Sequence, residues 1–394
     1  MTANPNLLKQ LSCLMLLPML GLASSAVIAG AEEMNHGTGV PSLYDFSSPS
    51  FGTTSNLFDQ SIVLAAAQEA KGESAAKPEQ CLKFAGDPDA DLGDVIRAGC
   101  KPSLGQMSAL MDNPLGNVAM LFTQYDFYRL KNDANGIEKD QHVYTGIFQF
   151  PKKLNDDWNL INRFIWTVPS VPVSQDKVNL LGSGGFTGGS PGAPGTGSLI
   201  DAIGGRTTGW GDSYYVGLFS PSKPIELDSL EGKILWGAGF DIGFPTASQE
   251  VLGSSKWTAG PTGLAVYLGP DWKIGGLMQN YFSFAGDDFD DNGNPIADVS
   301  LTNLQYFVFY SLSDTSAIGA SPNIIMDWNA DSGDVFTVPI GIGYTKTIKM
   351  GNVPIRLGLE FHYSVVRPDN VGTEFGIRFY IIPAAPSALF DWMN

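Results

Sequence analysis

Between Val353 and Val365 the chain alternates without a slip. Val353, Ile355, Leu357, Leu359, Phe361, Tyr363 and Val365 hold the odd positions, and Pro354, Arg356, Gly358, Glu360, His362 and Ser364 the even ones. Successive side chains of a strand point to opposite faces, so one face is apolar and the other polar and charged. In a soluble sheet the apolar face would lie on a packed core. In a transmembrane barrel it would face lipid, and the polar face would line the lumen.

The same texture recurs. Strands are predicted at about 117–129, 142–150, 157–168, 210–219, 232–244, 257–268, 271–284, 300–312, 321–329, 334–346, 353–365 and 372–382. Ile234, Trp236, Ala238, Phe240, Ile242 and Phe244 oppose Leu235, Gly237, Gly239, Asp241 and Gly243. Phe375, Ile377, Phe379 and Ile381 oppose Glu374, Gly376, Arg378 and Tyr380. The first, second and eighth segments are partly apolar on both faces, which leaves their register open. Runs of about 9–11 residues suit a tilted strand crossing a hydrocarbon layer; soluble strands run to about five or six. No helical pattern lies between them to cover an apolar sheet face, and only a closed barrel satisfies its backbone in lipid. The expected fold is therefore all-β, an antiparallel up-and-down transmembrane β-barrel of about twelve strands, carrying a short, partly helical, disulfide-bearing N-terminal extension.

Connection lengths alternate in support. Short links are expected at Pro151–Asp156, Gly269–Pro270, Ser313–Ala320 and Thr347–Asn352, with a moderate one at Ser220–Glu231. Longer ones are expected at Lys131–Gln141, Pro169–Gly209, Pro245–Lys256, Ala285–Val299 and Val366–Val371; Ala330–Gly333 breaks the trend. Outer-membrane barrels pair short periplasmic turns with longer external loops. Trp158, Trp166, Trp210, Trp257, Trp272, Trp328 and Tyr344 fall near strand ends, as an interfacial girdle would.

Export is legible at the N-terminus. Lys9, the apolar stretch Leu11–Leu22 and Ala29-Gly30-Ala31 ahead of Glu32 have the order of a cleaved signal peptide, 1–31; an N-terminal membrane anchor is the competing reading. Cys81 and Cys100 then remain, an even pair that suggests a disulfide in an oxidising periplasm, against the alternative of two buried thiols. Residues 32–112 read as a periplasmic extension, with a linker rich in Ser, Gly and Pro and a candidate helix at Ser61–Lys77. The barrel is expected over 113–382 and a tail over 383–394. A net charge of −17 argues against a nucleic-acid partner, and no cofactor motif is present.

By alternation, Asn159, Arg163, Asp241, Lys273, Gln279, Asp327, Arg356, Glu360, His362, Glu374 and Arg378 should point into the lumen. Arg356, Glu360, His362, Glu374 and Arg378 lie on the last two strands and should form cross-strand pairs. Such pairs either brace a narrow, plugged barrel or build a polar constriction that selects solutes by charge. Asp288, Asp290 and Asn292 match the first half of a calcium loop, but Val299 stands where its closing Glu belongs. The stretch Gly182–Gly197 lacks a G-K-[ST] and reads as a flexible external loop rather than a phosphate site. His362 and Ser364 share a strand face about 7 Å apart, too far for a direct hydrogen bond, so a hydrolase finds little here.

Several segments resemble a family of Gram-negative outer-membrane barrels known as neuromedin U-like, grouped with the type named for the MetA pathway of phenol degradation. They are Leu154-Asn155-Asp156-Asp157-Trp158-Asn159-Leu160-Ile161, Gly211-Asp212 through Phe219-Ser220-Pro221, and Trp236-Gly237-Ala238-Gly239 with Phe244-Pro245-Thr246. Leu252-Gly253 with Lys256-Trp257-Thr258-Ala259-Gly260-Pro261-Thr262, then Phe282-Ser283-Phe284-Ala285-Gly286-Asp287-Asp288 and Val338-Pro339-Ile340-Gly341, follow in the same order. The resemblance spans roughly Asn113–Ile382. The tail after Tyr380, the cysteine-bearing segment and the Gly-rich insertion lie outside it. It implies an outer-membrane transporter whose partners are lipid, the barrel assembly machinery and a small solute, hydrophobic or aromatic solutes included. The rival readings are a structural or surface-interaction barrel with a closed lumen and, third, an outer-membrane hydrolase.

Overall fold

The computed structural model describes residues 102–384 except 116–118, 134–135, 175–203, 228–230, 291, 292, 294, 352 and 370, together with 81, 95, 98 and 100. The expected signal peptide, linker, helix at Ser61–Lys77, Gly-rich loop and most of the tail lie outside the described residues.

Twelve antiparallel strands close into a barrel in chain order. They are β1 (Met120–Lys131), β2 (Glu138–Lys153), β3 (Trp158–Val171), β4 (Ser213–Pro221), β5 (Gly232–Phe244) and β6 (Lys256–Leu268). Then come β7 (Trp272–Gly286), β8 (Ser300–Ser313), β9 (Ser316–Ala320 with Asn323–Asp327), β10 (Phe336–Met350), β11 (Val353–Val366) and β12 (Gly372–Pro383). Each bonds to the next, and β12 returns to β1 from Thr123 opposite Ile381 to Lys131 opposite Gly372. Closure leaves no open sheet edge. The helix α1 (Leu104–Asp112) precedes β1 and starts with a capping box between Ser103 and Gln106.

Burial is inverted relative to a soluble sheet. On β11, Leu359, Phe361, Tyr363 and Val365 are exposed, while Glu360, His362 and Ser364 are buried. On β10, Ile342 is 60% exposed and Thr345 and Thr347 are buried. The open registers of β1, β2 and β8 are fixed by their partners. Asp126 and Tyr128 face inward on β1, Gln141, Val143 and Thr145 on β2, and Leu301 and Asn303 on β8.

The two ends differ as the loop pattern predicts, with corrections. The β8–β9 link is only Asp314-Thr315, because β9 begins at Ser316 rather than after Ala320. The β9–β10 link spans 328–335, longer than the Ala330–Gly333 expected, so the exception disappears. The β1–β2 link shrinks to 132–137 because β2 already begins at Glu138, and Trp210 precedes β4 instead of opening it. The strand expected at 321–329 comes instead in two pieces, Ser316–Ala320 and Asn323–Asp327. It is broken at Ser321-Pro322, where Pro322 has no N–H for the ladder.

Candidate functional site

The turn-side mouth of the barrel is filled from within. Met107 and Met111 of α1 pack with Met120, Phe122, Tyr380 and Ile382, all inward-facing on β1 and β12. Arg356 of β11 reaches the C-terminal half of the helix: Nη2 donates to the carbonyl and hydroxyl of Ser108, each at 2.9 Å, and Nη1 to Asp112 Oδ1. Lys273 of β7 meets the other Asp112 oxygen at 3.3 Å. A cation at a helix C-terminus also opposes the helix dipole. Past the helix, Pro114 O accepts from Gln149 Nε2 at 2.9 Å and Leu115 joins the apolar lining of β3, β4, β6 and β7. Upstream, Cys81 and Cys100 form a disulfide with a Cα–Cα distance of 5.4 Å.

A buried charge cluster lines the wall between β9 and β1. Arg378 Nε donates to Asp126 Oδ1 at 2.8 Å and Nη2 to Asn323 Oδ1 at 2.8 Å. Glu360, directly opposite Arg378 in the ladder, accepts from Ser321 N at 2.8 Å and Ser321 Oγ at 3.0 Å. His362 Nε2 lies 2.9 Å from Glu360 Oε2. Arg378 Nη1 bonds the Ser321 carbonyl. The residue before Pro322 thus turns both its backbone groups from the ladder to the lumen charges. Asp241 does a parallel job. Opposite it, β6 carries Gly260-Pro261, and the ladder from β6 to β7 is interrupted there. Asp241 Oδ2 reaches past Gly260 to accept from the backbone N of Asn280 at 3.2 Å. Only glycine fits at 260, since a Cβ there would lie 1.8 Å from Asn280 O.

The loop-side mouth is covered too. Val251 and Leu252, in a 3₁₀ turn, pack with Val173 and Val371 onto Leu130, Val143 and Val171 at the inner ends of β1–β3. Asp212 holds this loop in place, accepting from Ala247 N at 3.2 Å and Ser254 N at 2.7 Å. Burial pushes its carboxyl above the usual range, against the pull of the Ser254 hydrogen bonds.

The remaining candidates scatter. Asn159 is buried on β3, and Gln279 Nε2 donates to Tyr281 OH at 2.7 Å. Asp327 lies on β9 opposite the inward Leu301 and accepts from Asn329 N at 3.0 Å, ending the strand. Glu374 does not join the Glu360–Arg378 cluster. The ladder slips between Arg129 and Leu130, so Thr373 takes the place opposite Leu130 and Glu374 pairs with Lys131 at 3.0 Å near the strand end. Arg356 is likewise remote from that cluster, engaged by the helix. Asp288 is held by Lys256 Nζ at 2.7 Å, and Asn292 lies outside the described residues. Ser364 Oγ has no hydrogen-bond partner among the described residues, while the imidazole Nε2 is committed to Glu360. Sequence reasoning missed Asp112, Asp126 and Ser321. The even-position pair Gln124, Asp126 on an otherwise apolar segment was the available signal for the second.

No family model matches the chain, and no curated protein matches it. Solved structures similar in outline include an outer-membrane channel from Pseudomonas putida F1, at 12% identity and a TM-score of 0.48, covering 69% of this chain and 97% of that one. A FadL homologue from Pseudomonas aeruginosa is 11% identical with a TM-score of 0.31, covering 70% and 91%. Outer membrane phospholipase A from Escherichia coli is 11% identical with a TM-score of 0.33, covering 71% and 98%. Likeness at this level carries no functional argument.

Proposed function

We propose that the chain is exported by its N-terminal signal, inserts in the outer membrane and admits a small solute through a lumen closed at both mouths in the state described. The carrying observation is the inverted burial: an apolar belt such as Ile342, Phe361 and Tyr363 outside, with Asp126, Glu360 and Arg378 inside. Lipid is the solvent that rewards such an exterior. The Cys81–Cys100 disulfide accords with an oxidising compartment. The sequence resemblance to neuromedin U-like barrels favours the same reading, with the barrel assembly machinery as its folding partner.

In this reading α1 is a plug whose release opens the pore, and the inward residues Arg356 and Lys273 hold it. Asn159, Arg163, Asp241, Gln279, Glu360, His362 and Arg378 line the route. The test is conductance of purified protein in planar bilayers. Rare openings are expected from the wild type, rising several-fold in an Arg356→Gln, Lys273→Gln variant. No channel events from either, and no solute uptake into liposomes, would favour a barrel with a purely structural role.

A further inference from the structure

Most inward charges are occupied. Asp126, Glu360, His362 and Arg378 hold one another through Ser321, and Arg356 and Lys273 hold Asp112. Arg163 is different. It is only 8% exposed, yet it makes no ion pair among the described residues, and its Nε has no hydrogen-bond partner. Burying a cation without a counter-charge is costly, and most buried charges are paired for that reason.

The ladder shows what stands beside it. Gln149, Arg163, Val216 and Asp241 are successive partners across β2, β3, β4 and β5, one row on the lumen wall. Strands lie about 4.8 Å apart, so Arg163 and Asp241 are about 10 Å apart at Cα, with the short side chain of Val216 between them. Gln149 Oε1 and Asp241 Oδ1 are also buried without partners, although the other polar atom of each is used by Pro114 O and Asn280 N. One row therefore offers a free cationic donor flanked by two free acceptors. Beside it Ile161, Leu218, Leu264 and Tyr281 form a buried apolar cluster, which Leu115 of the plug segment completes.

We infer that this row binds a small organic acid. Its carboxylate would sit on Arg163, a hydroxyl or ammonium group would donate to Asp241 Oδ1 or Gln149 Oε1, and an apolar body would lie on Ile161 and Leu264. Water could satisfy the two acceptors but would leave the guanidinium without a counter-charge; a carboxylate supplies one. The inference rests on the lumen being a solute route and names the class of solute.

The test is calorimetric titration of the full-length protein in detergent with three probes: 4-hydroxybenzoate, the neutral 4-hydroxybenzamide, and chloride. Hydroxybenzoate should bind about ten-fold or more tightly than the amide, the scale of one charge-assisted hydrogen bond. Arg163→Gln should erase that difference, bringing the two organic probes to within about two-fold of each other. The variant should melt no lower than the wild type, because it loses an unpaired buried cation. Equal binding of the two organic probes, or binding of chloride alone, overturns the site. So does an Arg163→Gln protein that melts lower and still discriminates, which would make Arg163 a brace. Bilayer conductance of the same preparations separates the two claims: channels without discrimination sink the site alone, and discrimination without channels sinks the channel alone.

Discussion

At the scale of single residues, the lumen charges are neither free nor interchangeable. Arg378 is 1% exposed and bonds Asp126, itself 1% exposed. Arg378→Met would leave that carboxylate without its counter-charge, held only by the Gln124 amide at 2.6 Å, costing about 3–5 kcal/mol, whereas replacing both partners with apolar residues of similar volume should recover most of the loss. Denaturant unfolding from lipid vesicles, run as a double-mutant cycle, measures both; additive losses would refute the coupling. Glycines make a second contrast. At Gly260 an added Cβ meets the carbonyl oxygen of Asn280 at 1.8 Å, but at Gly358 it meets the Tyr380 ring at 2.0 Å. A ring can swing aside and a ladder carbonyl cannot, so Gly260→Ala should destabilise more than Gly358→Ala in the same assay. The opposite order would mean that β7 yields more readily than the Tyr380 packing.

At the scale of elements, α1 and β9 decide how the barrel behaves. The helix is short, and isolated helices of nine residues are marginal in water. It persists because Met111 is buried in the lumen with Met107 packed half-buried beside it, and Asp112 is clamped by two cations. Asp112→Asn keeps the shape but removes both ion pairs. It should raise open probability in bilayers and lower the unfolding midpoint, since the buried Arg356 keeps its Ser108 bonds but loses its counter-charge; unchanged gating would remove the helix from any gating role. β9 presents the reverse case, an element whose defect is compensated. Pro322 interrupts the ladder, and Glu360 receives the Ser321 N–H that the break releases. Glu360→Ala leaves that donor buried and His362 unpaired, a loss of about 2–4 kcal/mol. Pro322→Ala in the same background should restore part of it by letting the ladder re-form, which hydrogen exchange at residues 320–324 would register.

At the scale of the whole molecule, the exterior must match its solvent. Ile342 stands on the outer face of β10 and is 60% exposed, while Met350 ends the same strand at the turn side and is 63% exposed. Ile342→Lys should cost about 2–4 kcal/mol for folding into vesicles and Met350→Lys about 0–1, because the penalty fades toward the interface. Equal costs would place both in water and end the membrane reading. The alternation at Val353–Val365 was enough to assign inner and outer faces, because period two is a local property of extended backbone. The strand number and the alternation of link lengths were legible for the same reason. The partners of the inward charges were not. Arg378 finds Asp126 only when the last strand closes on the first, Arg356 finds Asp112 only when a helix enters the lumen, and Glu374 leaves the cluster through a one-residue slip in the ladder. Faces follow from neighbours in sequence, whereas pairings between residues some 250 positions apart exist only once the ring is shut and the barrel is filled.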